Sequence, residues 1–241
     1  MVFISLSSLC KITFILIDMQ CMHIIATPPN PPPDPKDCVI FVPDWRERFL
    51  RSLAWPSVVL RSISYTANVL EILFILAAEY PASNPSVLLL HWHFFTTITC
   101  ISPASLRTRI LSTLLTLPAT LLRLWCYRTL GSQFTFSLSL QHAHKLVRHG
   151  PYAFVRHPSY SAMILSVGGA WLALSGSYAP TQCGVNVWTS VMGVWALIAG
   201  AVVVSLVLRL PREDEILAAR FGREWAVWRE EVPWSLVPGV F

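Results

Sequence analysis

The chain has 241 residues, 54% of them hydrophobic and 13% charged, and its mean hydropathy is +0.54. Soluble domains carry roughly 25% charged residues, so this composition excludes a large soluble domain and indicates an integral membrane protein. The net charge of +5, without a long basic run, suits loops on one side of a bilayer and excludes a nucleic-acid surface.

The first 27 residues are apolar. They lack a basic leading stretch and a small-residue cleavage site, and Lys11 and Asp18 interrupt them, so they read as a retained first span rather than a signal peptide. Lys11 and Asp18 stand seven residues apart on one helix face, which predicts that both look into a helix bundle. The prolines between Thr27 and Pro35 end this helix, because each lacks the backbone donor that propagates one. Residues 28–55 form a polar loop with Lys36, Arg46, Arg48 and Arg51 among four acids. A second span covers residues 56–80, with Glu71 as its one deep charge. Residues 86–101, with His91, Trp92 and His93, read as a short interfacial or re-entrant segment. A third span covers residues 103–127; Pro118 is expected to kink it, and Arg123 and Arg128 mark its cytoplasmic end. Arg107 and Arg109 at the other end run against the positive-inside rule.

Residues 158–208 contain no Asp, Glu, Lys, Arg or His. A span needs about 20 apolar residues, so this run predicts two spans, near 160–176 and 187–208, joined by an uncharged turn. Such a hairpin returns the chain to the face it left. It places the cluster at 144–160 (His144, Lys145, Arg148, His149, Tyr152, Arg156, His157, Tyr160) beside Arg209, Glu213, Asp214 and Glu215. Ala162, Ser166 and Ala170 recur every four residues, a small face suited to close helix packing in lipid. Residues 211–232 read as an amphipathic helix beginning at Pro211, with Leu217, Phe221, Trp225, Trp228 and Val232 on one face. The fold class is therefore an all-α integral membrane protein of about five transmembrane helices with a C-terminal cytosolic amphipathic helix. Residues 1–102 supply the N-terminal spans and the proline-rich loop, and residues 103–241 the later spans, the two polar clusters and the tail, continuous with them as one membrane domain.

The six cysteines are scattered without a CxxC pair, which argues against a disulfide framework and a zinc site. His144, His149 and His157 lack metal-ligand spacing, and no HExxH, GxGxxG or GxSxG occurs. Taken by itself, the 144–160 cluster also reads as a basic anchor for anionic headgroups. Its three histidines and its Pro-Tyr and Pro-Ser-Tyr turns are more specific than charge attraction requires.

The pattern His144-x-Leu146-Val147-x-x-Gly150-Pro151-Tyr152-x-x-x-Arg156-His157-Pro158-Ser159-Tyr160 resembles the isoprenylcysteine carboxyl methyltransferases. So do Arg209-x-x-x-Glu213-Asp214-x-x-Leu217-x-x-x-Phe221-Gly222-x-Glu224-Trp225-x-x-Trp228 and Arg123-x-Trp125-x-x-x-x-Leu130-Gly131-x-x-Phe134. The resemblance covers residues 103–241. It implies an S-adenosyl-L-methionine site contacted by His144, Lys145, Leu146, Val147, Tyr152, His157, Pro158, Ser159, Tyr160 and Glu213, and a substrate-binding Arg209, with Arg209 and Glu213 the pair that carries the reaction. Its implied substrate is the C-terminal prenylcysteine carboxylate of prenylated proteins, reached from membrane lipid, without nucleic acid or metal. The implied location is the endoplasmic reticulum membrane, with the site facing the cytosol. Two departures stand out: Asp214 where the family usually has a second Glu, and Trp225 and Trp228 where Tyr is frequent. A cofactor-contacting glutamine has no clear counterpart, Gln141 being the nearest. Methylation of a phospholipid amine, NADPH-dependent reduction on a related scaffold, and a non-catalytic membrane adaptor are the competing functions.

Overall fold

The computed structural model describes residues 4–31, 38–40, 54–79, 103–136, 140–141, 144–177 and 187–240. Five long helices account for most of these: α1 (Leu6–Ala26), α2 (Ala54–Glu79), α3 (Leu106–Leu130), α4 (Pro158–Gly176) and α5 (Val187–Phe221), followed by a short α6 (Arg223–Glu231). Strand β1 (Cys38–Ile40) pairs antiparallel with β2 (Leu140–Gln141), tying the loop after α1 to the loop after α3. Helices α1, α2, α3 and α5 are long and apolar enough to cross a membrane, and the molecule is a multi-pass membrane protein. Helix α4 is uncharged; at 19 residues it is about 28 Å long, close to the thickness of a hydrocarbon core. The expected short segment at 86–101 lies outside the described residues.

Local sequence sets the helix ends. Ser5 accepts a hydrogen bond from the Ser8 amide at 3.2 Å and opens α1; Ser105 does the same for α3 through the Thr108 amide at 3.1 Å. Pro158 occupies the first turn of α4, where its missing N–H costs nothing. Gly131, at φ +55°, ends α3 and sends its N–H to the Tyr127 carbonyl. The tail differs from the sequence expectation. Pro211 begins no helix; it lies inside the 35-residue α5, because the fixed φ of proline is itself helical. The break comes at Gly222, with φ +52°, which separates α5 from α6.

Helices α3 and α4 form the tightest pair. A Cβ on Gly169 would lie 2.5 Å from Thr116 Cγ2, and one on Gly176 would collide with Thr108. Ala162, Ser166 and Ala170 are buried, as the small-residue spacing predicts. Charges inside the bundle are partnered. Asp18 is buried and accepts from Ser112 (3.0 Å), Thr113 (3.0 Å) and Thr116 (2.6 Å), while Lys11 on the same helix is half-buried. Arg109 is 1% exposed; its Nε donates to Glu71 Oε1 at 3.0 Å and its second guanidinium nitrogen pairs with Oε2. Arg109 thus escapes the positive-inside rule by not being a loop charge at all, whereas Arg107 is exposed.

Candidate active site

The segment after β2 is shaped by glycine and proline. Gly150, at φ +64°, turns where a Cβ would stand 3.0 Å from Thr129 Oγ1, and Gly150–Ala153 forms one 3₁₀ turn that buries Pro151 and Tyr152. Arg156 and His157 then lead into α4, with His157 at φ −125° and ψ 58°, outside the helical region, since proline at 158 disfavours a helical residue before it. Their amides pair with the C-terminal tail: Arg156 N–H donates to Trp234 O and His157 N–H to Ser235 O, both at 2.9 Å. The Arg156 guanidinium clamps the same tail through the carbonyls of Val232 (2.9 Å) and Pro233 (2.6 Å) and the Ser235 hydroxyl (2.7 Å).

The α4–α5 hairpin closes on this segment. His157 Nε2 lies 3.0 Å from Asp214 Oδ1, and its Nδ1 3.8 Å from Glu213 Oε2. Tyr160 donates its hydroxyl to Glu213 at 2.5 Å and stacks on His157 with ring centres 5.6 Å apart. Arg156 reaches Asp214 at 3.3 Å. The two ends of the uncharged run therefore meet, as the hairpin requires. The Glu213 side chain keeps 30% of its surface exposed, while that of His157 keeps 4%. Glu213 is held in place yet open to a ligand.

One turn earlier on α5, Arg209 shares the face of Glu213, since residues four apart are helical neighbours. Arg209 is buried and donates to the Phe136 carbonyl at 2.8 Å. The Phe136 ring meets a second guanidinium, that of Arg123, 5.1 Å from its centre. Arg123 is 4% exposed; it donates to the Tyr127 hydroxyl (2.7 Å) and to Ser159 through its carbonyl (2.9 Å) and hydroxyl (2.8 Å), and Phe134 covers it as well. Two buried cations thus converge on one short stretch of chain. The sequence reading made Arg123 a marker of the helix end and the first residue of a family-like motif, without enclosing it; the aromatic residues at 127, 134 and 136 were the available signal that it is enclosed.

The expected cofactor residues divide into two groups. His144, His157, Tyr160 and Glu213 face one another or share one electrostatic neighbourhood. His144 packs near Phe221, and its Nδ1 is buried without a hydrogen-bond partner among the described residues, as is Trp225 Nε1. Burial pushes the His144 imidazole below the ordinary histidine range; the Glu213 charge opposes that and Arg220 adds to it. The second group serves as framework. Leu146 and Val147 pack on a buried cluster of Cys126, Phe134, Tyr152, Trp225, Trp228 and Val232. Tyr152 gives its carbonyl to Trp228 Nε1 at 3.3 Å, and burial holds its phenol well above the usual tyrosine range. Pro158 is fully buried and Ser159 is engaged by Arg123. The Lys145 side chain is exposed, and its amide instead donates to Gln133 Oε1 at 2.6 Å. Gln133 is the glutamine at this loop; the side chain of Gln141 lies outside the described residues.

Residues 111–219 match the model of the isoprenylcysteine carboxyl methyltransferase family. The chain is also 30% identical over 114 residues to protein-S-isoprenylcysteine O-methyltransferase B of Arabidopsis thaliana, across 46% of this chain and 50% of that relative. It thus spans about half the length of the curated relative it matches. The family match falls on the half that carries the cluster around Glu213.

Proposed function

We propose, from the match of residues 111–219 to the isoprenylcysteine carboxyl methyltransferase family model, that the chain methylates the C-terminal carboxylate of prenylcysteine in prenylated proteins, with S-adenosyl-L-methionine as donor. The observation that carries this reading is the pairing on α5 of a half-exposed carboxylate, Glu213, with a buried guanidinium, Arg209, one turn away. Such a pair suits a donor that carries an ammonium and an acceptor that carries a carboxylate.

The residues present fit the donor. The buried, unpartnered Nδ1 of His144 and Nε1 of Trp225 supply polar atoms that a ligand's nitrogen and oxygen atoms would satisfy. Glu213, fixed by Tyr160, takes the ammonium, and the family's loop from His144 to Val147 forms the wall. S-adenosylmethionine supplies an electrophilic methyl group on a sulfonium. The acceptor carboxylate has an unperturbed pKa of about 3.3–3.7, so it is ionised at neutral pH and needs no general base. Arg209 holds it, and a guanidinium can do so with two parallel hydrogen bonds. Arg123, caged by rings, adds positive potential from the other side of Phe136. The work of the protein is orientation and exclusion of water rather than proton transfer. The prenyl chain reaches the site from the bilayer, where a chain of this kind partitions. The membrane is that of the endoplasmic reticulum, with the cluster on its cytosolic face.

Purified protein in detergent, given labelled S-adenosylmethionine and N-acetyl-farnesylcysteine, tests the reading. Base-labile label on the prenylcysteine is expected. Label appearing only on phosphatidylethanolamine would replace the proposal with a lipid methylase, and donor binding without any turnover would replace it with an adaptor.

A further inference from the structure

Asn30 lies far outside the family-matched segment, in the short stretch Thr27-Pro28-Pro29-Asn30-Pro31 that leaves α1. Its side-chain amide donates two hydrogen bonds, to the carbonyl of Gly131 at 2.8 Å and to that of Phe134 at 2.9 Å. These carbonyls bracket the single 3₁₀ turn Gly131–Gln133 at the end of α3. Three flanking prolines fix φ on either side, so the amide is presented with little backbone entropy left to lose.

What this turn touches gives the contact its meaning. Gln133, inside the turn, accepts the amide of Lys145 at 2.6 Å, at the start of the loop assigned to the donor. Phe134, which closes it, covers Arg123 and packs edge-on against Tyr127 with ring centres 4.5 Å apart. Phe136, two residues on, receives Arg209 on its carbonyl. One turn therefore supports the donor loop on one side and both guanidiniums on the other, and its own end carbonyls are held by a residue from the N-terminal half.

We infer that Asn30 is a positioning residue: the N-terminal half orders the methyltransferase site by fastening the Gly131–Phe134 turn. The inference rests on the proposed function and adds to it a task for a part of the chain that the family match does not reach. Asn30 touches neither donor nor acceptor; it acts through Gln133, Phe134 and Phe136.

The test uses the full-length protein in detergent and the variants Asn30→Ala and Asn30→Asp. Aspartate has the same shape but cannot donate, so it sets a carboxylate against two carbonyls. Both variants are expected to bind S-adenosylmethionine about tenfold more weakly, the loss of about 1.4 kcal/mol that two ordinary hydrogen bonds can account for. The KM for N-acetyl-farnesylcysteine should rise with it, while kcat at saturation stays within about twofold. Ser5→Ala, which disturbs α1 at its other end, should leave donor affinity unchanged. Wild-type donor affinity in Asn30→Asp would overturn the inference, as would a lowered melting temperature with unchanged donor affinity and KM. Hydrogen exchange at the Lys145 and Phe134 amides separates this from the proposed function. Faster exchange in Asn30→Ala is expected whether or not the wild type binds the donor, and unchanged exchange would overturn the fastening. Failure of the wild type to bind donor at all would instead remove the proposed function.

Discussion

Two polar assemblies built from similar residues sit in one helix bundle. Around Glu71, both carboxylate oxygens are consumed: Arg109 and the Ala104 amide take Oε1, and Arg109 and Ser177 take Oε2. The pair is 1% exposed on both sides. Around Glu213, the carboxylate is gripped by Tyr160 and approached by His157, yet it keeps 30% of its surface, and a buried imidazole nitrogen nearby is unsatisfied. A closed network holds helices together and binds nothing; an incompletely satisfied one is where a ligand completes the bonding. Residue type alone does not separate the two.

The largest effect that tests this contrast is on Arg109. Arg109→Ala leaves Glu71 charged and unpaired inside the bundle, a loss of about 3–5 kcal/mol. Thermal unfolding in detergent should show a large drop in melting temperature, with specific activity per folded molecule retained. Glu213→Ala should behave oppositely. It removes a charge-assisted contact worth about 1.5–3 kcal/mol, so S-adenosylmethionine affinity should fall roughly 10- to 100-fold while the melting temperature barely moves. Equal stability losses in the two variants would erase the distinction. Arg209→Lys keeps the charge but loses the fork, and a smaller effect is expected, roughly tenfold in the KM for the prenylcysteine with donor affinity unchanged.

The smallest effect concerns pH. The folded His144 pKa lies below its unfolded value, so the unfolded chain takes up a proton first as pH falls. Its contribution to stability is complete above the ordinary histidine range, about pH 6.5, and declines as the pH drops from there towards the folded value. His144→Asn should flatten that part of a stability-against-pH curve, measured by melting temperature between neutral and mildly acidic buffer.

Much of this arrangement is legible in the residues. The uncharged run 158–208 dictates a hairpin, and the hairpin brings Tyr160 to Glu213 and His157 to Asp214. Asp18 and Glu71, charges deep in apolar stretches, had to find partners inside. Which partners they found was not legible, because Arg109 reads as a cation at the end of its span until α2 and α3 are packed. The break at Gly222 rather than at Pro211 was also hidden: proline is a poor helix interior in general, but here its ring fits the helical φ and α5 continues through it. Gln133 and the contacts of Arg123 were not legible because they depend on a turn whose end carbonyls are held from far away in the chain, by Asn30.

Gly222 governs where the chain goes last. Its left-handed backbone bends the path, so that α6, about 14 Å long, lies back over the 3₁₀ turn and seats Trp228 on the Tyr152 carbonyl. The residues that follow then reach Arg156 and His157 and take a hydrogen bond from the amide of each. Any residue with a side chain at 222 is strained in that conformation. A straightened helix there would carry both tryptophans outward and strip the cover from the histidine loop, so a single torsion decides whether this end of the bundle has a roof.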